Sequence, residues 1–252
     1  MTTGAPWRRI LAEFVGTALL VTAVVGSGVM AATLSPNDVG LQLLENSVAT
    51  AFALCALILI FGPVSGAHFN PVVSAADWFL CRRTRTGLTT RVLGGYIAAQ
   101  TVGAIAGAIL ANLMFALPAV EWSSKDRAAG HLWLGEVVAT AGLVLLVFAL
   151  ARSGRAPVAP AAVGAYIGAA YWFTSSTSFA NPAVTIGRAF TDTFAGINPT
   201  SVPGFILAQL GGLLVGIALL LALYPGVGQS ANQVVVAQQP AEPTTASVSR
   251  SS

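Results

Sequence analysis

Residues 10–34, 43–62, 92–117, 132–150, 158–174 and 205–224 form six long runs almost free of charge. That pattern leaves the chain few possible folds. A helix needs roughly 20 apolar residues to cross a hydrocarbon core of about 30 Å, and backbone N–H and C=O groups there must be satisfied without water. Composition points the same way. Only 8% of residues are charged and mean hydropathy is +0.77, whereas soluble domains carry about 25% charged residues. A soluble chain of this kind would expose large apolar patches. Glycine, 26 of 252 residues, suits the close approach of helices in lipid. The chain therefore reads as an all-α integral membrane protein whose surroundings are a lipid bilayer. The net charge of +3 comes mostly from loop arginines and gives no footprint for nucleic acid. Cys55 and Cys81 lack metal-ligand spacing and read as apolar filler, so no metal or cofactor is expected. The first run is long enough to span and lacks a convincing cleavage site, so no cleavable signal peptide is expected.

Two shorter apolar stretches organise the rest, SGAHFNPVVSAADWF (65–79) and TSFANPAVTIGRAF (177–190). Asn is a good N-cap and Pro is favoured at the first helical position, so Asn70-Pro71 and Asn181-Pro182 should each open a short helix. Each helix is too short to cross the membrane. Asn198-Pro199 sits in a polar loop and reads as a plain turn. Residues 226–252 are rich in Gln, Ser, Thr and Pro, and read as a disordered tail.

The two halves repeat each other. Glu13 in AEFVGTALLV matches Glu136 in GEVVATAGLVLL, and Gln100 in AAQTVGAIAGA matches Gln209 in AQLGGLLVG. Each half thus runs Glu span, second span, Asn-Pro segment, Gln span. Three spans per half turn the second copy upside down, and in such inverted repeats the special sites lie where the halves meet at the midplane. Arg8, Arg9, Arg82, Arg83, Arg85, Arg91, Arg152 and Arg155 fall on one side, against Lys125, Arg127 and Arg188 on the other. The positive-inside rule then makes both termini cytoplasmic, and the expected location is a plasma (inner) membrane.

Irregular backbone at membrane depth must be buried in protein or line a wet cavity. The stretches Gly66, Ala67, His68 and Ser176, Thr177, Ser178 are therefore expected to show carbonyls to a water path. Buried acids in spans normally face the bundle interior with a partner. Glu13 and Glu136 could serve as a proton relay or hold the loop of their own half, and their repetition favours the second. Gln100 and Gln209 should hydrogen-bond across helices, His68 should brace its loop, and His131 should be solvated.

The motifs SGAHFNP and NPAVTIG, set in this repeat, resemble the aquaporin (major intrinsic protein) family over about residues 8–224, with halves near 8–117 and 131–224. The resemblance implies six transmembrane helices plus two re-entrant half-helices in an inverted repeat, one pore per subunit, and homotetramers. It also implies a passive channel for small neutral solutes and no enzymatic activity. The pore centre would comprise Asn70, Pro71 and Val72 with Asn181, Pro182 and Ala183, where Val72 replaces the usual Ala. Half-helix N-termini aimed there would disfavour cations and protons.

Family members usually carry Arg three residues after the second Asn, and here that residue is Val184. An ungapped comparison puts Thr50, Ala169 and Ser178 at the other filter positions. With no large ring and no charge, that filter should be wide. It resembles bacterial aquaglyceroporins, and AYWFTSSTSFANPAVTIGRAFTDTFAGI resembles a branch associated with arsenic detoxification. Arg188 either lines the outer mouth or pairs on the surface with Asp192 at i+4, and the surface pair is the simpler reading. The expected solutes are glycerol-like polyols, metalloid hydroxides such as arsenite, and water. The alternatives are a strict water channel and, further off, a secondary transporter. An intramembrane enzyme lacks any helical His-Glu-x-x-His, Cys-His or Ser-Lys constellation.

Overall fold

The computed structural model describes residues 6–82 and 87–224. Arg83, Arg85 and the tail 226–252 lie outside the described residues. The described residues contain eight α-helices and no strand: α1 (Pro6–Leu34), α2 (Val39–Ser65), α3 (Pro71–Cys81), α4 (Thr90–Met114), α5 (Gly130–Arg152), α6 (Ala159–Phe173), α7 (Pro182–Gly187) and α8 (Val202–Leu223). Helices α1, α2, α4, α5 and α8 are long and apolar enough to cross a membrane. The fifth expected span is α6, with 15 residues. At 1.5 Å per residue it covers about 22 Å, extended at its start by the 3₁₀ turn Ala156–Val158. The short helices α3 and α7 begin at the two prolines, as their capping residues require. Asn198-Pro199 departs from expectation. It opens a 3₁₀ turn, Pro199–Ser201, in which the Asn198 side chain accepts from the Thr200 N–H, and this turn runs directly into α8. The Asn-Pro cap logic thus applied to this third pair as well.

The repeat is visible in the packing. Helix α4 lies against α1, and α8 lies against α5. A Cβ at Gly103 or Gly107 would run into the carbonyls of Phe14 or Ala18, and one at Gly212 or Gly216 into those of Val137 or Ala141. Small residues spaced by four thus bring two backbones together in each half. The Thr22 hydroxyl donates to Ala18 O within α1 and to Gly107 O across the seam, at 2.8 and 3.1 Å. Gly107→Leu should overpack this contact, and the melting temperature in detergent should fall by about 5 °C or more. Unchanged melting would mean that the seam yields without cost.

The halves interlock rather than merely abut. Helix α2 packs on α6, while α7 packs on α4 and α3 touches α8, so each half-helix is braced by the other half. The loop 115–129 folds over α7. Glu121 and Ser123 donate backbone N–H groups to Phe190 and Ala189, and Asn112 donates to Phe190 O.

Candidate functional site

The backbone before each half-helix takes the same unusual path. Ala67 and Phe69 have φ of 48° and 49°, and their counterparts Ser178 and Ala180 have 49° and 47°. Left-handed conformations at non-glycine residues are costly and persist only where the surroundings over-determine them. Glu13 supplies that constraint in the first half. Its Oε1 accepts from Ser65 Oγ (2.6 Å) and the His68 N–H (3.0 Å), and its Oε2 from the Phe69 N–H (2.7 Å) and Gln100 Nε2 (2.8 Å). Glu136 does the same in the second half. It accepts from the N–H groups of Phe179 and Ala180, both at 2.8 Å, and from Gln209 Nε2 at 2.6 Å. Both acids are fully buried. Each glutamine also reaches its own half-helix, Gln100 to Ser74 Oγ and Gln209 to Thr185 Oγ1. His68 shares a hydrogen bond with Ser74 through Nδ1 at 3.0 Å, which ties the loop to α3.

Asn70 and Asn181 meet at the interface of the halves. Asn70 Oδ1 caps α3 by accepting from the Val72 N–H, and Asn181 Oδ1 caps α7 by accepting from Ala183 and Val184. Asn70 Nδ2 donates to Ala180 O at 2.8 Å, and Asn181 Nδ2 donates to Phe69 O at 2.7 Å. A carboxamide has two N–H donors, so each keeps one beyond this reciprocal pair. Both side chains also form part of the wall of a cavity that is partly open to the outside.

One side of this cavity is apolar and built from equivalent positions of the two halves, Leu20 with Leu143, Val24 with Val147, and Leu54 with Ile167. The other side carries the two asparagines and the loops. Ala67, His68, Ser178 and Phe179 line it, and among the described residues their carbonyls accept no hydrogen bond. Buried carbonyls of that kind need water or a solute.

Several expected positions fall elsewhere. Ala169 is exposed and does not touch the cavity. Tyr171 lines it instead, and its hydroxyl shares a 3.1 Å hydrogen bond with Thr50 Oγ1. Helix α6 turns Val163, Ile167 and Tyr171 inward at i, i+4 spacing, a pattern present in the sequence. Gly66, Ser176 and Thr177 also lie off the wall. Ser176 is buried in the loop. Its Oγ accepts from the Ser178 N–H, and its carbonyl accepts from Arg127. Pro71, Val72, Pro182 and Ala183 are buried at the half-helix starts, behind the wall. Thr50, Ser178 and Val184 do reach the cavity.

Arg188 overturns the surface-pair reading. It is 2% exposed, its Nε donates to Ala195 O, its guanidinium lies 3.4 Å above the Phe179 ring, and it lines the cavity. Asp192 is engaged by Ser123 and Ser124 instead. Arg127, from the loop over α7, lies 5.0 Å from the same ring and donates to Gly196 O. Burial there pushes its guanidinium down from the usual range.

An interlocked helical repeat with a solvent-reaching cavity at its seam, polar along one side and apolar along the other, is the architecture of a membrane channel. The sequence model described as "Major intrinsic protein" matches residues 1–180. The chain is 51% identical over 213 residues to aquaglyceroporin AqpS of Rhizobium meliloti (strain 1021), covering 84% of this chain and 88% of that one. It is 34% identical over 239 residues to the glycerol uptake facilitator protein of Pseudomonas aeruginosa, covering 81% and 82%. The X-ray structure of the aquaglyceroporin from Plasmodium falciparum superposes with a TM-score of 0.63 at 20% identity, covering 87% of this chain and 96% of that one. The chain belongs to the major intrinsic protein family: it is an integral membrane channel of the aquaglyceroporin type and not an enzyme.

Proposed function

We propose that the protein conducts small uncharged solutes passively: glycerol-like polyols, undissociated metalloid hydroxides such as arsenite, and water. The carrying observation is the pair Asn70 and Asn181, whose carboxamides meet beside free loop carbonyls on the wall of one cavity. Donors and acceptors on one side and hydrocarbon on the other match a solute with hydroxyls along one edge. Half-helix N-termini converging on the asparagines disfavour cations and protons. Val184, with neither charge nor donors, leaves room for solutes wider than water. The likeness to AqpS and to the glycerol facilitator supports the same reading. Assembly as a homotetramer in the plasma membrane, with both termini cytoplasmic, completes it.

Stopped-flow light scattering of proteoliposomes with glycerol, urea, arsenite and water tests the proposal. Flux should be fast, linear in gradient and indifferent to sodium or pH. Saturating, ion-coupled uptake would point to a transporter. The bridge between Thr50 and Tyr171 favours a second reading, a strict water channel, and absent glycerol flux with fast water flux would select it.

Asn70→Asp removes the donor to Ala180 O and adds negative charge at the seam. In correctly assembled protein, proton or sodium leak should rise by about tenfold. A dye-reported leak equal to that of the native channel would sink the electrostatic account.

A further inference from the structure

The repeat symmetry of the cavity wall breaks in side-chain polarity: His68 of the first half stands where the second has Phe179, and at three further places the polar group lies at the other end. Thr50 stands where the other half has Val163, Tyr171 where it has Ile58, and Ser178 where it has Ala67; all six line the cavity. Arg188 stands where the first half has Asp77. Asp77 accepts the Leu88 N–H at 2.8 Å and does not touch the cavity. Three hydroxyls and a guanidinium are thus gathered at the end of the passage nearest the loop over α7, while the opposite end keeps hydrocarbon at the places matching the hydroxyls.

Two of these groups are underused by the protein. Ser178 Oγ is buried without a hydrogen-bond partner. Arg188 donates through Nε to Ala195 O and rests on Phe179, and among the described residues nothing accepts from its Nη groups. A buried cation with no carboxylate partner is expensive to keep, and an unused buried hydroxyl adds to the cost. A solute oxygen passing along the wall would satisfy both.

We propose that Arg188 is a specificity-determining residue of this channel. It sits one helical turn beyond Val184, where it leaves the bore open yet aims N–H donors at it. With Ser178 and the Thr50–Tyr171 pair it forms a subsite for uncharged solutes bearing several hydroxyls. Such a site favours a polyol over an analogue lacking one hydroxyl, because the analogue leaves a buried donor unpaired. The inference rests on the channel reading above.

The test compares facilitated fluxes of glycerol and 1,3-propanediol, which differ by one hydroxyl, in vesicles carrying native protein, Arg188→Met or Arg188→Lys. Protein-free vesicles give the background. The native channel should favour glycerol. The ratio of glycerol to propanediol flux should fall by about tenfold in Arg188→Met, the loss expected for one hydrogen bond to a charged donor, and Arg188→Lys should retain most of it. A merely structural tether for residues 191–197 would lower both fluxes together and leave the ratio alone, and that result would overturn the proposal. If the methionine variant does not incorporate, Arg188→Gln, which keeps an N–H donor for Ala195, decides on the same ratio. Native protein that carries neither solute above background would instead overturn the channel reading itself.

Discussion

Val184→Arg is expected to suppress glycerol flux by about tenfold or more relative to water flux, since a guanidinium adds bulk and fixed donors to a bore that valine leaves open. Val184 is 5% exposed and forms part of the cavity wall at the first turn of α7. Arg188 follows at i+4, on the same side of the turn. A second guanidinium would therefore meet the first, and mutual repulsion would drive one of them further into the bore. A solute wider than water loses most, because a closed passage conducts nothing however well its walls bind. Matched vesicles of native and mutant protein, swelling under water and glycerol gradients, give the answer. Equal loss of both fluxes would remove Val184 as the size gate.

Glu136→Leu should abolish folded channel. The carboxylate accepts from Phe179, Ala180 and Gln209 in a fully buried site. Leucine would orphan all three donors, at about 1–3 kcal/mol each. It would also release the left-handed turns at Ser178 and Ala180, which nothing intrinsic to those residues favours. The combined loss rivals the total stability of a typical fold, about 5–15 kcal/mol. The expected outcome is loss of the monodisperse peak on size exclusion in detergent. Glu136→Gln keeps one acceptor oxygen and should fold with a lowered melting temperature. A leucine variant that melts like the native protein would mean that the loop 174–181 is held by other contacts. The saturated hydrogen bonding of both acids also explains why they read better as braces than as a proton relay.

Much of this architecture was legible in the sequence because its causes are local. Apolar runs fix the spans, Asn before Pro fixes the starts of α3 and α7, and matched Glu and Gln residues reveal the inverted repeat. The glycine pairs at 103 and 107 and at 212 and 216 were equally readable as seams. Positions set by where an element is rotated were harder. Ala169 lies on the exposed side of α6, while Val163, Ile167 and Tyr171 face the cavity at i, i+4. Ser176 and Thr177 lie off the wall, whereas Ser178 and Phe179, as far before Asn181 as Ala67 and His68 are before Asn70, line it.

The sequence by itself determined that the chain is a membrane protein, that it contains two copies of one unit, and where each half-helix begins. Hydrophobicity, periodicity and capping are properties of neighbours along the chain, so they survive without coordinates. Only the tertiary structure decided what surrounds the cavity. Glu136 and Phe179 lie in different elements, as do Asn70 and Ala180, Thr50 and Tyr171, and Arg188 and Ala195, and no spacing rule brings them together. Arg188 shows the limit most plainly. Four residues before Asp192, it suits a surface ion pair, and local reasoning prefers that partner. In the fold, the loops from 115 to 129 and from 191 to 201 engage Asp192 with serines and bury the guanidinium on an aromatic ring, because the energy of a charge depends on the groups that the whole chain gathers around it.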